Sequence, residues 1–223
     1  IQEDTSYITS FRMNRFNNFF EGAAGLYYHK SHIQTFFENY MAPPLNLKLD
    51  SVRLDGASSE IQALVRALGL VFYCITGPFW NMLKGGVQYV DQYKYIQSML
   101  GQMRDWSDDS TSMLTGLSIF AEFAVPSSKV LESLTADSNE RETMITKSAL
   151  EAIMRKFVTV TERQLNDFLP GGKFGEEVSA DLREKMKHCH VTNLVSEYEF
   201  GDLDFSQFRR RHASVHFHSS VQM

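Results

Sequence analysis

Cysteine is nearly absent from this chain of 223 residues. The two present, Cys74 and Cys189, lie far apart and imply no disulfide framework, which favours a reducing compartment. A basic excess is lacking as well. Lys and Arg number 22 against 27 Asp and Glu, a formal net charge of -5, which excludes a wholly basic nucleic-acid coat and leaves that role to a local patch. No apolar run is long: the best, "ALGLVFYCITGPFW" (67–80), is too short to span a bilayer and is interrupted by Gly77 and Pro78. The N-terminus lacks the basic-then-apolar order of a signal peptide, so the chain reads as a soluble intracellular protein. It begins with Ile1 rather than Met, and reads as a portion of something longer. Internal repeats and sustained strand-like alternation are missing too. What is there is core material: 43% hydrophobic and 13% aromatic residues, with 17 Phe, enough for one main folded body rather than a disordered chain.

The apolar residues recur mostly at helical spacing. Phe16, Phe19, Phe20, Ala23, Ala24 and Tyr27, then Ile33, Phe36, Phe37 and Tyr40, predict two helices or one bent helix, ended by Pro43-Pro44. Ser58 and Glu60 give a partial capping signal for a second stretch, whose stripe is Ile61, Leu64, Val65, Leu68 and Val71 or Phe72; Gly77-Pro78 is expected to stop it. A third stripe, Tyr89, Tyr93, Ile96, Met99 or Leu100, Met103 and Trp106, is read as core rather than as a cofactor box. A Ser/Thr/Gly loop around 107–118 and a polar link over 127–142 lead to a last long stripe, Ile145, Leu150, Ile153, Phe157, Val160 and Leu165. Its β-branched "VTVT" run favours a strand locally, but length and flanking charges favour helix. The expected fold class is mainly α, four to six helices around Phe, Leu and Met.

"PGGKFG" (170–175) has the glycines and the Lys173 of a phosphate loop, but Phe174 stands where a Walker motif needs Ser or Thr; it reads as a helix stop with a turn. In "TNLVSEYEFGDLDFSQFRRR" (192–211), Leu194, Tyr198, Gly201, Phe205 and Phe208 share one helical face. Glu197 and Asp204 lie along one edge of that stripe, Asp202 on the other, and Glu199 points further into solvent. Two readings of these carboxylates stand side by side. They solvate the helix, or Glu197, the best placed, donates oxygen to a hard cation such as Mg²⁺. Arg209, Arg210 and Arg211 form a compact basic run that suits phosphate and equally suits a helix C-terminus. His188, Cys189 and His190, with His212, His216 and His218, suggest a soft-metal site, but the spacing matches no finger and a solvated tail is the simpler reading.

"TNLVSEYEFG" resembles the terminal Ser-Glu-Arg-x-Phe motif of hAT-like DDE transposases at Ser196, Glu197 and Phe200, departing at Tyr198, where Arg is usual, and at Gly201, where Ser is usual. "NRFNNFFEGAAGLYYHKSHIQTFFENY" is similar to the segment that opens the helical insertion domain of such enzymes, with Arg15, Phe16 and Asn17 at its Arg-Trp-Asn positions. "CITGPFWNML" and "LPGGKFG" are similar to stretches of transposon-derived open reading frames. The resemblance implies an all-α insertion-type domain over about 1–186, then, over 187–223, the returning helix and basic tail of a partial ribonuclease-H-like α/β domain. It implies Glu197 as the third catalytic acid and metal ligand, Mg²⁺ or Mn²⁺ as cofactor, Arg209 to Arg211 against DNA, transposon ends as partner, a homo-oligomer, and a nuclear or otherwise intracellular location without a membrane. The implied reaction, two-metal phosphoryl transfer, needs two aspartates on strands. The sequence offers no strand pair to carry them, so this chain alone is not expected to cut DNA. The competing expectation is a helical interaction scaffold without chemistry. A small His/Cys metal-binding protein is the third.

Overall fold

The computed structural model describes Tyr7, residues 16–41 and 46–189, and residues 208, 209 and 214. Mainly α is the fold class: among the described residues there is no strand. Two compact units are distinguished, Ile1–Val178 and Ser179–Met223.

In the first unit the N-terminal region forms α1 (Phe16–Tyr28) and α2 (Lys30–Asn39), two helices meeting at His29. Pro43-Pro44 lie outside the described residues; α2 has already ended at Asn39. Its stripe is only partly inward. Phe37 is buried, whereas Phe36 and Tyr40 are exposed and stack on each other. Next comes α3 (Leu47–Ala57), a helix the sequence stripes did not pick out, capped by the Asn46 side chain accepting from Leu49 N at 3.0 Å.

The following α4 (Ser59–Val71) begins as expected, Ser58 Oγ accepting from Ile61 N. Gly77-Pro78 does not stop it. The helix widens into a π turn over Phe72–Thr76 and runs on as α5 (Gly77–Lys84). Pro78 has no N–H for the carbonyl four residues back, Cys74 O, and that oxygen accepts instead from Ile119 N at 2.8 Å. Gly77 N reaches five residues back to Phe72 O, and this wider turn accommodates the proline in an unbroken helix. The face of α4 is also corrected. Ile61 and Leu64 are exposed, whereas Val71 of the expected stripe is buried and Val65 packs partly against the core; the rest of the buried side is Ala63, Arg66, Ala67, Gly69 and Leu70. Small residues lie there because α1 comes close: a Cβ on Gly69 would sit 2.9 Å from Ala24 Cα.

Tyr89–Asp91 makes one 3₁₀ turn into α6 (Gln92–Asp108), where Ile96, Met99, Leu100, Met103 and Trp106 are buried, the core role expected of that stripe. The segment expected as a loop around 107–118 contains a short helix, α7 (Thr111–Leu114), packed through Met113; the polar link over 127–142 contains α8 (Lys129–Thr135), which buries Val130 and Leu134. Only two of its seven residues are fully buried, too few for a stripe to announce it. Asn139 then caps α9 (Glu140–Gln164), the longest helix, which includes the "VTVT" run and packs on both α4 and α6. Leu150 and Met154 are buried on it while Val160 is exposed.

"PGGKFG" is a turn, as expected. Gly171 has φ +84°, and a Cβ on Gly172 or Gly175 would run into main-chain oxygens of Asn166 or Leu169. Gln97 Nε2 on α6 donates to Phe168 O and to Gly175 O, each at 2.8 Å, and Tyr89 sets its ring edge-on to Phe168 and Phe174. The second unit contains α10 (Ala180–Lys185), capped by Ser179 Oγ and carrying a Lys185–Asp181 pair at 2.7 Å.

Candidate functional site

The densest polar arrangement in the first unit is built around Arg66. An arginine in the middle of a helix flanked by Ala63, Ala67 and Leu70 is only 3% exposed, so its five donors must be answered from inside the protein. Its Nε donates to Leu134 O at 2.7 Å, one terminal nitrogen to Ala136 O at 2.8 Å, and the other to Ser138 Oγ. These acceptors are the last turn of α8 and the link into α9, where carbonyls lack helical partners. Ser138 Oγ is within 2.9 Å of Thr143 Oγ1, extending the net onto α9.

Beside it, Tyr27 on α1 donates to Glu142 Oε1 at 2.7 Å, and Lys30 Nζ lies 4.0 Å from the same oxygen and 3.9 Å from the Tyr27 ring centre. Burial, and then the bond to Glu142, push the Tyr27 hydroxyl well above its ordinary range, with the Arg66 charge opposing. This constellation holds α1, α4, α8 and α9 together. Sequence reasoning missed it; the one signal was a single arginine inside an otherwise apolar stretch.

Other reactive groups are similarly occupied. Burial pushes the Cys74 thiol up to about 12, and its Sγ donates to Met113 O at 3.7 Å, so it stays a neutral thiol. Asp109, at the start of α7, accepts from Lys147 and Thr111, which hold its carboxyl well below the usual range. Lys173 of the glycine turn is exposed, its ammonium 5.1 Å from the Phe174 ring centre. Among the described residues no three His, Cys, Asp or Glu side chains converge as a metal site would require.

The residues singled out by sequence lie mostly elsewhere. Glu197, Glu199, Asp202, Asp204, Arg210 and Arg211 are outside the described residues, as are His190, His212, His216 and His218. The Mg²⁺ or Mn²⁺ expectation rests on Glu197 and lies outside them with it. Arg209 is described and exposed in a helical turn with Phe208; His188 and Cys189 are exposed.

One continuous helical span, Ser59–Lys84, is long and apolar enough by length and composition to cross a membrane, which removes the argument from a short, interrupted run. Of its apolar window 61% is buried within the protein, however, as in a core helix.

The chain matches no protein-family model, no curated protein and no solved structure.

Proposed function

We propose that this chain is the C-terminal part of a transposon-derived, DDE-type transposase, its helical body serving as an insertion-type domain and Glu197 as the third acid of a ribonuclease-H-like centre. The observation that carries the reading is "TNLVSEYEFG" (192–201), with Ser196, Glu197 and Phe200 at the motif positions. A helical body without strands among the described residues supports it, because an insertion domain of this kind is all-α. Divalent metal, held in part by Glu197, would supply activation of a water or 3′-hydroxyl and stabilisation of the leaving oxygen. The role of Arg209, Arg210 and Arg211 is neutralisation of phosphate. The two further aspartates the reaction needs would come from strands outside this chain, so binding rather than cleavage is the activity expected of it.

The test is duplex DNA binding by the 223-residue chain, followed by fluorescence anisotropy over a salt series. Each phosphate neutralised contributes about -0.9 to the slope of log K against log salt, so replacing the three arginines by Gln should flatten the slope by about 2.7. Absent or salt-indifferent binding overturns the proposal.

A second reading, a helical interaction scaffold, is favoured by the exposed apolar side chains of α2 to α4, notably Phe36, Tyr40, Leu47 and Leu54. It expects no DNA binding at any salt.

A further inference from the structure

Of the thirteen large apolar side chains exposed among the described residues, seven fall between Phe36 and Leu64, which makes this the region to examine for a partner. Its centre, α3, buries no residue at all. An 11-residue helix is marginal by itself in water, yet this one is firmly mounted. Asn46 caps its start, and near its end Gly56 O accepts from Gln34 Nε2 of α2 and from Gln62 Nε2 of α4, each at 3.0 Å. Leu47, 88% exposed, and Leu54, 55% exposed, are seven residues apart and so stand on one outward stripe, with Ser51 between them.

The charges flanking that stripe identify what fits it. Lys48 and Asp55 lie on one edge, Asp50 and Arg53 on the other. Turned end for end and laid against itself, α3 sets Lys48 opposite Asp55 of the second copy and Asp55 opposite its Lys48. On the far edge Asp50 faces Arg53 of the second copy and Arg53 its Asp50, while Leu47 meets Leu54 across the axis. In an antiparallel helix pair each edge faces the like edge of its partner, so all four positions find opposite charges at once. Within one chain Arg53 already pairs with Asp50 at 2.7 Å, whereas Lys48 and Asp55 make no ion pair among the described residues.

We infer that α3 is a self-complementary docking helix through which two copies of this chain associate about a two-fold axis. The inference stands on α3 alone, not on the DNA reading.

Sedimentation equilibrium on the 223-residue chain tests it, over about 1 to about 100 µM at low salt, the range in which a small interface of this kind is expected to associate. Lys48→Glu places one like charge opposite Asp55 at each of the two symmetric contacts, and Asp55→Lys does the same with cations. Each should weaken the dimer about tenfold. The combined Lys48→Glu, Asp55→Lys variant recreates both pairs with reversed sign and should return the dissociation constant to within about threefold of wild type. Residues 48 and 55 are about 10 Å apart along their own helix, so this rescue reports on pairing between chains. None of these side chains is buried, and circular dichroism at low concentration should give wild-type melting for all three variants. A chain that stays monomeric to about 100 µM leaves the stripe to a different protein and overturns the inference. So does a dimer indifferent to the single reversals, or a combined variant no tighter than either single one.

Discussion

Replacing Arg66 by methionine keeps most of the apolar stem and deletes the guanidinium, so the cost comes from the acceptors it leaves behind. Leu134 is fully buried, and its carbonyl, 2.7 Å from Nε, has no water to turn to. A stranded buried acceptor of this kind costs about 1–3 kcal/mol. Ala136 is exposed, and its carbonyl rehydrates at little cost; Ser138 keeps Thr143 as partner. Against this stands relief from burying a cation, which in other proteins has cancelled the loss or reversed it. Here the cation lies at the C-terminal end of α8, whose carbonyls favour a positive charge, so the loss should win by about 1–2 kcal/mol. For a unit of this size that is a fall of about 2–8 °C in melting temperature. Urea and thermal denaturation followed by helical circular dichroism give the number.

A second measurement isolates the cause. Ser138→Ala should cost about 1 kcal/mol less once Arg66 is methionine than it does in the wild type, because the Arg66–Ser138 bond is lost to either change whereas the Thr143 bond is lost only with Ser138. Arg66→Lys should fall between wild type and Arg66→Met, since a single ammonium cannot answer three separated acceptors. If Arg66→Met melts with or above the wild type, or the two effects add, the arginine is not the clamp between α8 and α9 described above.

Three further outcomes follow from the same geometry. The hydroxyls of Tyr27 and Tyr73 and the thiol of Cys74 are all shifted upward on folding, from 10.0, 10.0 and 9.0. Their stability is therefore fully present below about pH 9 and is lost as the pH rises beyond it. Denaturant midpoints measured from pH 8 to 11 should fall, and Tyr27→Phe should make that fall shallower; a flat profile refutes the assignment. Gly175→Ala would drive a Cβ into Leu169 O and unseat the turn held by Gln97, lowering stability by about 2 kcal/mol. The same substitution at Gly101, which faces open space inside α6, should be neutral or stabilising by up to about 1 kcal/mol. Pro78→Ala restores an N–H that competes for Cys74 O, and hydrogen exchange at Ile119 should accelerate while α4 and α5 stay protected.

How far the sequence discloses this molecule depends on what each helix packs against. On α6 the buried set is large and regularly spaced, and Ile96, Met103 and Trp106 announce their face without ambiguity. On α4 the same rule is only half right: Val71 is buried and Val65 packs partly on the core, but Ile61 and Leu64 are exposed. That helix is apolar nearly all round, and the part of it that faces α1 carries Gly69, because Ala24 of α1 approaches closely there. Reading bulk as burial assigns Ile61 and Leu64 inward, where close helix contact leaves no room for them. Gly77-Pro78 misleads for a related reason: punctuation residues break a helix only if the carbonyl they orphan finds no other donor, and Ile119, 45 residues away by position from Cys74, supplies one. Arg66 was illegible because two of its three partners are main-chain carbonyls, which no side-chain motif encodes, and the third is a lone serine 72 residues on. The charge pairing of α3 is the converse. Lys48, Asp50, Arg53 and Asp55 are written plainly in the sequence, but a self-complementary order means nothing until the helix is seen to bury none of its own residues, and then it becomes the strongest statement the surface makes about a partner.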